Sequence, residues 1–134
     1  MQQHISKIIV ALESTKWLVY KAATIRQQLQ IYLDTLKCED NRWISKINRK
    51  NKKYSDLRNE CDRLSAIAKY YATNASVDVT NRSVQIFGAE GYKKTSRVAR
   101  HFLDSRATTI YEGANEVLEL KIATEILGNE YRAY

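Results

Sequence analysis

"WISKINRKNKKYSDLRNECDRLSAIAKYYATNA", residues 43–75, carries the most regular apolar pattern in the chain. Trp43, Ile47, Lys50, Tyr54, Leu57, Cys61, Leu64, Ala68, Tyr71 and Ala75 alternate four and three apart. That spacing keeps one face of an α-helix turned towards a partner helix, whereas a strand would alternate with period two. Only Lys50 interrupts the chemistry of the stripe. The run predicts one helix of about 45 residues at most, and two helices meeting near Asn51 are the alternative.

The chain has no proline, and its four glycines are Gly88, Gly91, Gly113 and Gly128. Nothing in the first 87 residues punctuates the backbone, which is a composition for long helices. From Gln2 to about Leu36, apolar residues recur at Ile5, Ile8, Ile9, Leu12, Val19, Ala22, Ala23, Leu29 and Tyr32 and predict one buried helix face. Cys38-Glu39-Asp40-Asn41 breaks that pattern, and Asp40 or Asn41 is placed to cap the next helix. Downstream, Gly88 and Gly91 are expected to end the long helix in the loop "FGAEGYKK". Ser96 or Thr95 then caps a shorter helix containing Val98, Ala99, Phe102 and Leu103. A corner at Ile110-Tyr111-Glu112-Gly113 leads to a last helix from about Asn115 to Ile126, with Gly128 just past its end. The sum is an all-α, antiparallel up-and-down bundle of four to five helices in a single domain, residues 1–134, with an extended helical insertion around 37–64.

With 134 residues and 44% apolar content, the chain is long enough for one core. The net charge of +7 would suit an acidic partner, yet much of the excess sits in Arg49, Lys50, Lys52 and Lys53, on the insertion. Cys38 and Cys61 lie far apart, and His4 and His101 have no ligands at metal spacing, so a reduced, metal-free interior is expected. Ile8 to Leu12 is too short an apolar run to cross a membrane. A cytoplasmic location follows as the expectation.

The segment "NRSVQIFGAEGYKKTSRVARHFLDSRATTIYEGANEVLELKIATEILG" resembles the C-terminal helical domain of the acyl-CoA dehydrogenase family. The family pattern is an Ala-Val-Gln tripeptide, a Gly-rich loop, an Arg-Asp pair, and Ile-Tyr-Glu-Gly-Thr leading into the last helix. "YKAA" at 20–23 and "AIAKYYATNAS" at 66–76 look like the two preceding helices, so the resemblance covers most of the chain. Four positions depart from the pattern: Ala89 for the second glycine of the loop, Arg97 for the usual proline, Leu103 for the Arg before Asp104, and Ala114 for the Thr after Glu-Gly.

The resemblance implies an FAD-dependent enzyme that removes hydrogen across the α and β carbons of an acyl-CoA thioester. It assigns Glu112 as the base for the α-proton, with Tyr111 and Gly113 lining the substrate. An apolar wall from Tyr111 would strengthen the carboxylate as a base, and Gly113 would let the acyl chain come close. Gln85, Gly88 and Ala89 correspond to the segment that reaches the pyrophosphate and adenosine end of a neighbouring subunit's FAD. Read without the resemblance, the glycines are a helix cap and turn, and Glu112 an acid favoured at a helix N-terminus. The family's enzymes have two further domains, so this chain reads as a fragment of a larger enzyme or a small subunit, inactive by itself. Expected partners are an acyl-CoA substrate, an electron-transfer flavoprotein or similar acceptor, and further copies in a dimer or tetramer; neither a membrane nor nucleic acid is expected. The alternative is a catalytically degenerate relative serving as an oligomerisation or nucleic-acid-binding bundle.

Overall fold

The computed structural model describes residues 1–39, 51–128 and 130. Every regular element among them is helical: α1 (Gln2–Glu39), α2 (Lys52–Tyr92), α3 (Arg97–Thr108) and α4 (Asn115–Leu127). The all-α class expected from the periodicity is what forms. Arg49, Lys50 and the start of the heptad at Trp43 and Ile47 lie outside the described residues, as do the proposed caps Asp40 and Asn41.

The long helix begins at a cap. Asn51 has extended backbone angles, φ −96° and ψ 93°, and its side chain accepts from the Tyr54 amide at 3.1 Å. This satisfies one of the free N–H groups of the first turn. The long helix therefore starts at Lys52, behind a cap in extended backbone; the alternative of a second helix meeting it near Asn51 falls outside the described residues. Asn51 also ties the helices together, because Tyr32 Oη near the end of α1 donates to its Oδ1 at 3.1 Å. Lys53 Nζ lies 4.8 Å from the centre of the Tyr32 ring, so one cation of the basic cluster rests on an aromatic face. The end of α1 thus meets the start of α2, and the two pack antiparallel.

α2 is the spine. α1, α3 and α4 all pack on it, and its heptad from Tyr54 to Ala75 is buried or half-buried throughout. Cys61, Leu64, Ala66 and Ala68 form the centre of the core. Cys61 carries a free thiol. Thr80 pairs with Ser105 of α3, and Thr73 pairs with Asn115 of α4. Along α2, the contact with α4 near Thr73 is thus followed by the contact with α3 near Thr80. Both short helices run antiparallel to α2, one after the other. At 1.5 Å per residue they are about 18–20 Å long, so each covers roughly a third of the ~60 Å spine.

The apolar face expected for α1 is corrected by one position. The half-buried stripe is His4, Ile8, Ala11, Thr15, Leu18, Ala22, Ile25, Leu29, Tyr32 and Leu36, while Ile5, Ile9, Leu12 and Val19 are exposed. α1 is apolar on two adjoining stripes, and α2 covers only one of them.

The glycine loop is corrected as well. Gly88 breaks the helix with φ 57° and ψ −138°, but a further helical turn follows and ends at Tyr92. That combination of angles is open to glycine and costly for other residues, so a single residue absorbs the bend. Gly91 is needed for a different reason. A Cβ there would stand 2.8 Å from Phe87 Cβ and 2.9 Å from the Val84 carbonyl oxygen, so the turn folds back tightly onto the preceding one. Ser96 then caps α3, accepting from the Val98 amide at 3.2 Å. Arg100 and Asp104 make no ion pair among the described residues and are both exposed.

Candidate functional site

The corner between α3 and α4 is built from its backbone outward. Ile110 N and Tyr111 N donate to the Ala107 carbonyl at 3.0 and 3.3 Å, which finishes α3. Asn115 N then reaches back to the Thr109 carbonyl at 3.0 Å and closes the loop. Between these clamps the chain bulges outward, leaving Ile110, Tyr111, Glu112 and Gly113 exposed. Glu112 has φ 56°, and it is the only non-glycine residue in the left-handed region among those described. A side chain there costs about 1–2 kcal/mol, so the surroundings must hold it.

They do so through α2. Lys69 Nζ donates to the Gly113 carbonyl oxygen. Asn115, only 6% exposed, donates from Nδ2 to Asn74 Oδ1 at 3.1 Å and accepts at Oδ1 from Thr73 Oγ1 at 3.1 Å. On the α3 side, buried Thr109 donates to the Arg106 carbonyl at 2.9 Å and receives the Arg106 guanidinium. Both feet of the corner are therefore pinned, and the residues between them project.

Four of the residues that matter here are not among those expected from the sequence. Lys69, Thr73 and Asn74 sit inside the long helix and Asn115 opens the last one. The polar pair Thr73-Asn74 within an otherwise apolar run was the available signal. Ala114 occupies the N-cap position of α4 and makes no side-chain cap bond, so the helix start depends on Asn115 instead.

Glu112, Tyr111 and Gly113 come together at the corner as expected. The apolar wall does not: Tyr111 is 55% exposed and Glu112 is at the surface, so no enclosure forms within these residues. The second expected cluster is also brought together, since Gln85, Gly88 and Ala89 all lie exposed around the kink of α2. A Cβ at Gly88 would meet nothing within 4 Å, so the bend presents open backbone. Glu90, an awkward charge for binding an anion, is paired with Lys93 at 2.5 Å. The Glu90 carboxylate beside the kink is thus offset by a neighbouring cation.

An open groove of about 510 Å³ runs along α2 and α3, with Thr108 and Tyr111 at one end and Ser83 and Phe87 at the other; of the expected site residues, Tyr111 alone lines it. Among the described residues, no group of three or more His, Cys, Asp or Glu side chains could hold a metal ion, and no helix is long and apolar enough to cross a membrane.

The corner thus carries a carboxylate on left-handed backbone, and the kink of α2 presents open backbone. The class of domain follows from comparison with known proteins. Residues 1–127 match the family described as "Acyl-CoA dehydrogenase, C-terminal domain", and the chain belongs to the acyl-CoA dehydrogenase family. It is 35% identical over 117 residues to the short-chain specific acyl-CoA dehydrogenase of Clostridium acetobutylicum, covering 87% of this chain and 23% of that protein. It is 29% identical over 127 residues to the cyclohexane-1-carbonyl-CoA dehydrogenase of Geobacter metallireducens, covering 95% of this chain and 26% of that protein. Over a shorter stretch of 53 residues it is 51% identical to the short-chain specific acyl-CoA dehydrogenase of Megasphaera elsdenii, 40% of this chain and 14% of that one. The chain spans about a quarter of the length of the first two relatives. No solved structure matches it.

Proposed function

We propose that this domain supplies the proton-abstracting base of an FAD-dependent acyl-CoA dehydrogenase, with Glu112 taking the α-proton of an acyl-CoA thioester. The observation that carries the proposal is the left-handed backbone of Glu112, clamped at both feet of an exposed corner. Strain held by surrounding hydrogen bonds is characteristic of functional positions. A carboxylate on a pinned corner keeps its bearing towards a bound substrate, which a base on a mobile loop would not.

The chemistry balances. The α C–H bond breaks with its proton going to the Glu112 carboxylate, and the β-hydrogen leaves as hydride, giving an α,β-unsaturated thioester. Bound FAD supplies the acceptor for that hydride. Gln85 and the open backbone at Gly88 and Ala89 would hold the pyrophosphate and adenosine end of that group from a neighbouring subunit. Exposed Tyr111 offers an aromatic face for the acyl chain, and Gly113 keeps the backbone clear beside the base. The missing apolar wall must then come from other parts of the enzyme, and the 134-residue chain alone neither retains FAD nor turns over acyl-CoA. An electron-transfer flavoprotein or similar acceptor would reoxidise the cofactor, in a cytoplasmic dimer or tetramer.

The test is Glu112→Gln in the flavoenzyme that contains this domain. It preserves shape and hydrogen bonding and removes the base. Flavin content and acyl-CoA binding should persist while substrate bleaches the flavin about 10²–10⁴-fold more slowly. Unchanged bleaching would overturn the assignment.

A further inference from the structure

The hydrogen bond from Lys69 to the corner stands outside everything the sequence pattern assigned. Its two ends are 44 residues apart, on α2 and on the residue after Glu112. The other tether of the corner, Asn115, is buried and made of neutral groups, and it fixes the first residue of α4 rather than the bulge. Lys69 is the one α2 side chain that bonds to the bulge between Ile110 and Gly113 among the described residues. An ammonium donor gives a stronger hydrogen bond than a neutral one, roughly twice as strong. A bond of that kind to the Gly113 carbonyl fixes the peptide that follows two successive residues of positive φ, Glu112 at 56° and Gly113 at 97°. Without it, the tether at Asn115 alone would join the corner to α2, and the bulge itself would be free to relax Glu112 to an ordinary negative φ, which would swing its side chain to a different bearing.

We infer that Lys69 is the positioning residue for Glu112: it holds the Gly113 carbonyl, and through it the left-handed backbone that aims the carboxylate. The inference rests on Glu112 being the base. Lys69 touches the corner backbone and is not itself assigned contact with substrate.

Two measurements test it. In the 134-residue chain, Lys69→Met should raise amide hydrogen exchange across residues 110–114 at least tenfold, leave the protection of α1 and the centre of α2 unchanged, and be restored by Lys69→Arg. Equal exchange in the parent and Lys69→Met chains would overturn the tether. In the flavoenzyme, Lys69→Met should lower kcat for flavin reduction about 10- to 100-fold with flavin content and KM little changed, since a misaimed base costs rate rather than binding. Lys69→Arg should recover most of the rate. Glu112→Gln, measured alongside, separates the two ideas. If Glu112→Gln is slow and Lys69→Met is as fast as the parent, the base stands and the positioning role falls. If Glu112→Gln is itself fast, the underlying assignment has failed. A loss of thermal stability in Lys69→Met at unchanged kcat would mark the bond as structural only and would also overturn the inference.

Discussion

Asn115 and Asn74 face each other across the contact between α4 and α2, with Nδ2 of the first donating to Oδ1 of the second at 3.1 Å. Asn115 is almost wholly buried, and its remaining carbonyl oxygen accepts from Thr73. The short α4 is held in register on the spine by this polar pair. The bond has a directional geometry that a leucine contact lacks, so it fixes where α4 starts and hence where the corner stands.

Asn115→Ala should therefore destabilise the chain by about 1–2 kcal/mol, measured by urea unfolding, because it strips the partner from Asn74 and leaves a small void. Thr73 keeps its bonds to the Lys69 and Tyr70 carbonyls, which limits the damage. A change within error would mean that water replaces the amide at no cost.

Ala114 gives a prediction of opposite sign. It holds the N-cap position with φ −57° and ψ 147° and offers no oxygen to the free amides of α4. Threonine stands at this position in the family pattern, and its hydroxyl can accept from an amide one turn on. Ala114→Thr should raise stability by about 1 kcal/mol. Calorimetry would show an increased Tm; a decrease would mean that the hydroxyl cannot be accommodated beside Asn115.

Much of the spine was legible in the sequence because its heptad and its burial coincide: Cys61, Leu64 and Ala68 fall where the spacing puts them. α1 was not legible to the same degree. Its inner stripe includes His4 and Thr15, and its outer one includes Ile5, Ile9 and Leu12, so a search for apolar residues finds the wrong edge. Periodicity fixes the pitch of a stripe and not which of two adjoining stripes is covered. At the site, Glu112 and Gly113 were marked by the resemblance, and their clustering with Tyr111 follows from adjacency. The left-handed angle at Glu112 was not, since no propensity places glutamate there. The bonds of Lys69 and Asn115 to distant elements lie beyond any local pattern.

Tyr70 supplies a pH dependence. The carboxylate of Glu119 on α4 accepts from its phenol and repels the phenolate, and these effects hold the phenol above the ordinary tyrosine range. Its folded-state value is raised, so the favourable term is fully present below the unfolded value of about 10 and is lost as pH rises through the higher folded value. Urea midpoints should be flat from neutrality to about pH 9 and then fall, with Tyr70→Phe falling less steeply over the same alkaline window. Identical alkaline slopes in both proteins would show that Tyr70 makes no contribution.

The last prediction concerns the uncovered stripe of α1. Ile5, Ile9, Leu12 and Val19 are 44–57% exposed and lie in one row, and Trp17 and Tyr20, stacked edge to face at 6.2 Å between ring centres, stand out beside them. Single exposed apolar residues are ordinary, but a continuous row along several helical turns is the kind of surface that another apolar face covers. No large side chain among the described residues is fully buried, so the isolated chain has little core of its own to offset the exposure. We expect the 134-residue chain to self-associate at micromolar concentrations, with sedimentation velocity giving a species heavier than 15.5 kDa. Ile9→Lys together with Leu12→Lys should shift it to monomer while helicity by circular dichroism is kept, since lysine is a good helix former and both positions face outward. Association that survives the double substitution would move the contact to another surface, and a parent chain that sediments as a monomer at those concentrations would refute the prediction outright.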